Sequence, residues 1–324
     1  MPMFHVLMIA LLLLLPTASL AQNENRPTPE RTDEANRPTT AEESPVEDKE
    51  AQDRSVTTGS MTLNGQVVDY RATAGMQPLL DESGAVRANI FHVAYERLNS
   101  DGSLASDHPM KRPITFCFNG GPGSSSVWLH LGAWGPVRVD MGDAGTLKPS
   151  PWALVPNDGS ILDVTDLVFI DPVTTGFSRS AEDHSDGEFH GLEADAAAVA
   201  EFIRLYLTRN ERWLSPKYIA GESYGTTRAA RLADLLQNRH GIFINGAILV
   251  SAILDFQTTD FAPGNDISNV LYLPTYAATG WYHGKVDRDA LPWPLTTPDA
   301  VGSGLEGTPA RLAQLWHEVL GAAP

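Results

Sequence analysis

Ser223 stands in Gly221-Glu222-Ser223-Tyr224-Gly225, a G-x-S-x-G pentapeptide. A serine hydroxyl becomes a useful nucleophile when a sharp strand-to-helix turn lifts it clear of the chain. Such a turn strains the serine backbone and crowds its neighbours, so the flanking positions must be small. Attack on a carbonyl also builds negative charge on oxygen, which calls for hydrogen-bond donors worth roughly 3–4 kcal/mol each. One donor is the backbone N–H after the serine, here that of Tyr224. The other comes from a Gly-rich loop after an earlier strand, and Asn119-Gly120-Gly121-Pro122-Gly123-Ser124-Ser125-Ser126 is such a loop. An ordinary Gly-Pro turn would share its composition but not its place, directly after an apolar run and ahead of the serine. Phosphate binding is rejected because no Lys follows in the spacing G-x-x-x-x-G-K.

These groups need rigid supports on either side. Residues 113–118 (PITFCF) form a short apolar run that stops at Asn119, and residues 167–170 form another that ends at Asp171-Pro172. Residues 217–220 give a short strand before the pentapeptide, and residues 226–238 read as the helix after it. Residues 193–208 show helical spacing, with Ala196, Val199, Phe202, Ile203, Leu205 and Leu207 apolar and acids in the first turn, where they suit the helix dipole. Residues 61–70 and 88–98 read as early antiparallel strands, and residues 242–253 as a second buried run. Strands alternating with helices predict an α/β class, with a mostly parallel central sheet and helices on both faces. In such sheets sites form where loops leave the carboxyl ends of strands. Three loops qualify, after Phe118, Ile170 and Ala220.

Taken together, FNGGPGSSS (118–126), DPVTTGFSRS (171–180) and GESYG (221–225) resemble the three signature blocks of the serine carboxypeptidase family, in order and in spacing. The resemblance covers roughly residues 60–285. It implies an α/β-hydrolase fold and an enzyme that releases C-terminal residues from peptides with a free C-terminal carboxylate. It further implies that Ser223 is the nucleophile, that Gly121 and Tyr224 supply the oxyanion N–H groups, and that Asn119, the Gly120 N–H and Glu222 grip the terminal carboxylate. Two positions depart from the family. Ala133-Trp134 precedes Gly135-Pro136, where many members carry an acid that shares a proton with the glutamate. Cys117 stands where the family usually has Trp.

Bulk properties narrow the setting. Residues 6–15 (VLMIALLLLL) are too short for a bilayer span, which needs about 20 residues. With Ser19-Leu20-Ala21 behind them they predict a signal peptide over residues 1–21, hence a secreted or periplasmic protein with no membrane anchor after cleavage. Residues 22–56 are acidic and Pro-rich and predict a disordered linker. Residues 57–290 then hold the hydrolase core. The net charge of −17 excludes nucleic acid and anionic lipid as partners, since both need a basic footprint. A lone cysteine, Cys117, permits no internal disulfide, and its apolar run predicts a buried, inert thiol. No His, Cys or carboxylate cluster has ligand spacing, so neither metal nor cofactor is expected.

A serine also needs a base, and the triad order in this fold is Ser, then Asp or Glu, then His. His240, His283 and His317 follow Ser223, but none sits in a strand-end loop. His240 reads as a helix-end cap residue, His283 as part of a cap-like segment, and His317 as a position on the amphipathic stretch 310–320. Asp255 reads as an ordinary strand-exit aspartate, so the triad Asp and His are unassigned. Residues 291–324 are rich in Pro, Gly and Thr, where the family would continue into a helical insertion and the last strands. The expectation is a truncated or frameshifted product whose sheet lacks its C-terminal strands. Three readings therefore stand: a carboxypeptidase-like hydrolase, an esterase or acyltransferase using the same site, and a non-catalytic family member. Without a base, the oxyanion hole and binding alone would leave about 10³–10⁴-fold catalysis over water.

Overall fold

The computed structural model describes residues 54–107, 112–142 and 146–285. The expected leader, most of the linker and the atypical tail with His317 lie outside the described residues. No helix among the described residues is long and apolar enough to cross a membrane.

The described residues open with β1 (Ser55–Leu63) and β2 (Gln66–Leu80), an antiparallel hairpin. Residues 61–70 were expected as one strand, but Asn64-Gly65 breaks them. Both residues have positive φ, 50° and 76°, the signature of a two-residue turn whose twist matches the flanking strands. Asp81 then turns the chain into β3 (Val86–Arg97), its carboxylate accepting the N–H groups of Ser83 at 2.8 Å and Ala85 at 2.9 Å.

The central strands follow: β4 (Ile114–Phe118), the small antiparallel pair β5 (Val137–Val139) and β6 (Leu154–Pro156), β7 (Asp166–Ile170), β8 (Arg179–Ser180), β9 (Lys217–Glu222) and β10 (Gly246–Val250). The sheet runs β1-β2-β3-β7-β4-β9-β10, with β8 beside β3. Pairings from β1 to β7 are antiparallel, while β7, β4, β9 and β10 run parallel. Only one half of the sheet is therefore parallel, and that half carries all three loops singled out from sequence.

Among the described residues three long helices accompany the sheet: α1 (Leu192–Arg209), α2 (Tyr224–His240) and α3 (Ile267–Tyr282). β4 and β7 are buried at every position, as strands covered on both faces must be. Their side chains alternate between two cores. Phe116, Phe118, Val168 and Ile170 join Val199, Phe202 and Ile203 of α1 and Leu232 and Leu236 of α2. Cys117, Leu167 and Phe169 join Leu129, Leu162 and Ala220 on the other face. Cys117 is a fully buried free thiol whose pKa burial pushes far up. At the amino end of β7, buried Asp166 accepts from Arg112 Nε and Arg212 Nη1, each at 2.8 Å, and from the Arg97 N–H at 3.0 Å.

A second expectation is corrected. The run 242–253 forms a strand only over Gly246–Val250, and that strand is not buried: Ile248 is 37 % and Leu249 40 % exposed. Burial depends on what covers a strand, and among the described residues β10 is the last strand on its side.

Candidate active site

β4, β7 and β9 are parallel neighbours, so their carboxyl ends open on one edge of the sheet. At the end of β9, Ser223 adopts φ 58° and ψ −127° before α2 begins at Tyr224. That region is sterically disfavoured for any residue with a Cβ, and strain of this kind persists only where the surroundings over-determine it. Three contacts do so here. The Ser223 N–H donates to the Val250 carbonyl at 2.9 Å, and its own carbonyl accepts from the Thr226 N–H at 2.9 Å and the Thr226 hydroxyl at 2.7 Å.

The small flanking residues are sterically required. A Cβ on Gly221 would lie 2.1 Å from the Gly225 carbonyl oxygen, and one on Gly225 would lie 2.9 Å from the Phe118 carbonyl oxygen. The Gly-rich loop closes on this turn from β4. A Cβ on Gly120 would meet the Tyr224 backbone nitrogen at 2.5 Å and the Glu222 carbonyl oxygen at 2.6 Å. The loop and the serine turn are therefore in backbone contact, which no side chain could bridge.

Asn119 fixes the same junction by three different atoms. Its Nδ2 donates to Glu222 Oε2 at 3.0 Å, and its Oδ1 accepts the Leu129 N–H at 3.1 Å, from the helical turn that follows the loop. Its backbone carbonyl accepts Arg228 Nη1 at 2.6 Å. The structure thus gathers Ser223, Tyr224, Gly120, Gly121, Asn119 and Glu222, all six residues singled out from sequence, at one edge.

The middle signature block is tied in through Asp171. Its carboxylate accepts the Ser126 N–H at 2.9 Å, and its carbonyl accepts the Ser178 hydroxyl at 2.6 Å. Burial raises the Asp171 pKa, opposed by the N–H groups of Ser126 and Phe177. The Ser126 hydroxyl donates to the Ile170 carbonyl, so the first and second blocks share a polar seam.

Sequence reasoning missed Arg228 and Asp195. Arg228 is 1 % exposed, and its Nε donates to Asp195 Oδ2 of α1 at 2.8 Å. Its guanidinium lies 5.4 Å from the Phe118 ring centroid and 5.1 Å from that of Tyr224. Burial, followed by the Asp195 charge, raises the Tyr224 phenol to about 12. A signal was present, because Tyr224, Arg228, Leu232 and Leu235 fall on one helical stripe. A cation inside an apolar stripe needs a buried partner.

His240 ends the 17-residue α2, about 26 Å along the axis from Ser223 at 1.5 Å per residue. Asp255 spends its carboxylate on the Gln257 N–H at 2.9 Å, capping a short helical turn. His283 follows α3 and is exposed. His130, His184 and His190 bond Tyr95, Glu188 and Thr174. None of these three partners is Ser223.

The family model for serine carboxypeptidases matches residues 87–284. Serine carboxypeptidase-like 36 of Arabidopsis thaliana is 30 % identical over 46 % of this chain and 30 % of its own length. The pheromone-processing carboxypeptidase KEX1 of Metarhizium robertsii is 34 % identical over 38 % of this chain and 18 % of its own. The chain thus spans a third or less of these relatives. Among solved structures, the cell wall degrading esterase LipA of Xanthomonas oryzae aligns with a TM-score of 0.37 at 13 % identity, covering 72 % of this chain and 60 % of that one. The peroxisomal α/β-hydrolase Lpx1 of Saccharomyces cerevisiae aligns with a TM-score of 0.31 at 15 % identity, over 60 % and 42 %.

Proposed function

This chain belongs to the serine carboxypeptidase family, and on that premise we propose that it is a serine-type carboxypeptidase-like hydrolase, acting on peptides with a free C-terminal carboxylate. The reading is carried by one observation: Ser223 is held at φ 58°, ψ −127° between β9 and α2 while Gly120 lies against the Tyr224 nitrogen. In this proposal Ser223 Oγ attacks the scissile carbonyl. The N–H groups of Gly121 and Tyr224 receive the oxyanion, where each donor lowers the barrier by roughly 3–4 kcal/mol. Asn119, the Gly120 N–H and Glu222 hold the terminal carboxylate. Export through the leader over residues 1–21 belongs to the same proposal.

A second reading follows from where two triad candidates are spent, His240 at the far end of α2 and Asp255 on the Gln257 N–H: a family member that binds peptide carboxyl termini without turning them over. Fluorophosphonate labelling of the purified chain, with intact mass and peptide mapping, separates the two. The hydrolase reading expects a stoichiometric adduct on Ser223 that vanishes in Ser223→Ala. A folded chain that takes up no label would sink the hydrolase reading and leave the binding one.

A further inference from the structure

Arg228 donates to the carbonyl of Asn119, and that carbonyl belongs to the same peptide unit as the Gly120 N–H. A charge-assisted hydrogen bond at the oxygen of an amide draws electron density from its nitrogen, so the N–H becomes a stronger donor. The guanidinium is almost wholly buried, where little solvent screens the effect. Its other contacts hold it in place: Asp195 Oδ2 at 2.8 Å, and the rings of Phe118 and Tyr224 on either side of the junction. A buried ion pair is a weak source of stability, and apolar side chains of similar volume replace one at little loss. Of these four partners, all but Asp195 belong to the loop, its strand or the serine turn.

We propose that Arg228, anchored by Asp195, is a positioning residue that polarises the Asn119–Gly120 peptide unit and thereby sets the preference of the site for a free terminal carboxylate over a carboxamide. This rests on the proposed function, which assigns the Gly120 N–H to the carboxylate.

The test compares an N-acetyl dipeptide with its C-terminal carboxamide, binding to the full chain by calorimetry in a Ser223→Ala background. The parent should bind the acid more tightly than the amide. The double variant Asp195→Asn/Arg228→Met removes both charges, so no buried carboxylate is orphaned. It should lose about tenfold in affinity for the acid, the scale of one charge-assisted hydrogen bond, with the amide little changed. A double variant that keeps the full preference, or weakens for both ligands in parallel, overturns the inference alone. A parent with no preference overturns it together with the substrate reading. If the double variant does not fold, the isotope-labelled parent decides. The Arg228 guanidinium proton resonance should shift on adding the acid and stay still on adding the amide, and an unmoved resonance overturns the inference.

Discussion

β9 has a parallel neighbour on each side, and the two neighbours meet very different surroundings. β4 reads ITFCF and is buried at every position, whereas β10 reads GAILV, is just as apolar, and lies half open to solvent. On the β4 side the contact extends past the strand ends until backbone meets backbone at Gly120. On the β10 side, beyond the strand, Leu254, Phe256, Phe261, Ile267, Val270 and Leu271 are all exposed. The difference is not composition but cover. β4 lies between α1 and α2 on one face and the Leu129–Leu162 cluster on the other, while β10 has no such second layer among the described residues. The Gly-rich loop accordingly stands on the closed side, while Ser223 itself is also tied to the end of β10 through its N–H bond to the Val250 carbonyl.

The sharpest way to break this contrast is to spoil the closed side. Gly221→Ala places a methyl group 2.1 Å from the Gly225 carbonyl oxygen, and the clash is with backbone, which cannot swing away. The expected outcome is a loss of more than about 4 kcal/mol in urea unfolding, at the upper end for single substitutions. A Gly221→Ala chain with near-native stability would show that the serine turn is looser than its geometry implies.

Acid provides a second probe of the buried half. Burial lowers the pKa of His92 to about 4, helped by the charges of Arg54 and Arg209, and burial alone lowers that of His130 to about 4. In the unfolded chain each titrates near the ordinary value of 6.5. Between those limits the unfolded state binds more protons, so stability falls as pH falls. The contribution is present in full above the unfolded value and is lost on the way down to about pH 4, roughly 3 kcal/mol for each histidine. Urea midpoints measured from neutral pH down to pH 4 should show this slope, and His92→Phe should flatten it. An unchanged slope in His92→Phe would mean that His92 is not held neutral.

What could be read from the chain follows the same division. The serine turn and its loop were legible because their requirements are local. Gly221, Gly225 and Gly120 are needed where backbones touch, and a short motif records that need directly. The Asn64-Gly65 turn was equally local, and its dipeptide marks the hairpin that a single strand over 61–70 overlooked. Arg228 and Asp195 were not legible as a pair, because they sit on different helices and meet only once α1 and α2 pack. The exposure of Ile248 and Leu249 was not legible either. An apolar run states a preference for burial, and only the neighbouring elements decide whether burial occurs.

The smallest predicted effect tests the open side directly. Leu249 is 40 % exposed on β10, so replacing it with Lys should change the stability of the chain by only about 0.5 kcal/mol, the usual range for a surface position. A long side chain can lay its methylenes along the strand and keep its charge in water. Lys on an open edge also opposes pairing with other strands, so Leu249→Lys should lower concentration-dependent association in sedimentation or light scattering. Ile219 of β9 is the matched control, one strand inward and fully buried. Ile219→Lys should unfold the chain, because a cation would stand in the core without a partner. If Leu249→Lys proved as damaging as Ile219→Lys, β10 would have to be covered in solution, and the contrast between the two flanks of β9 would fall.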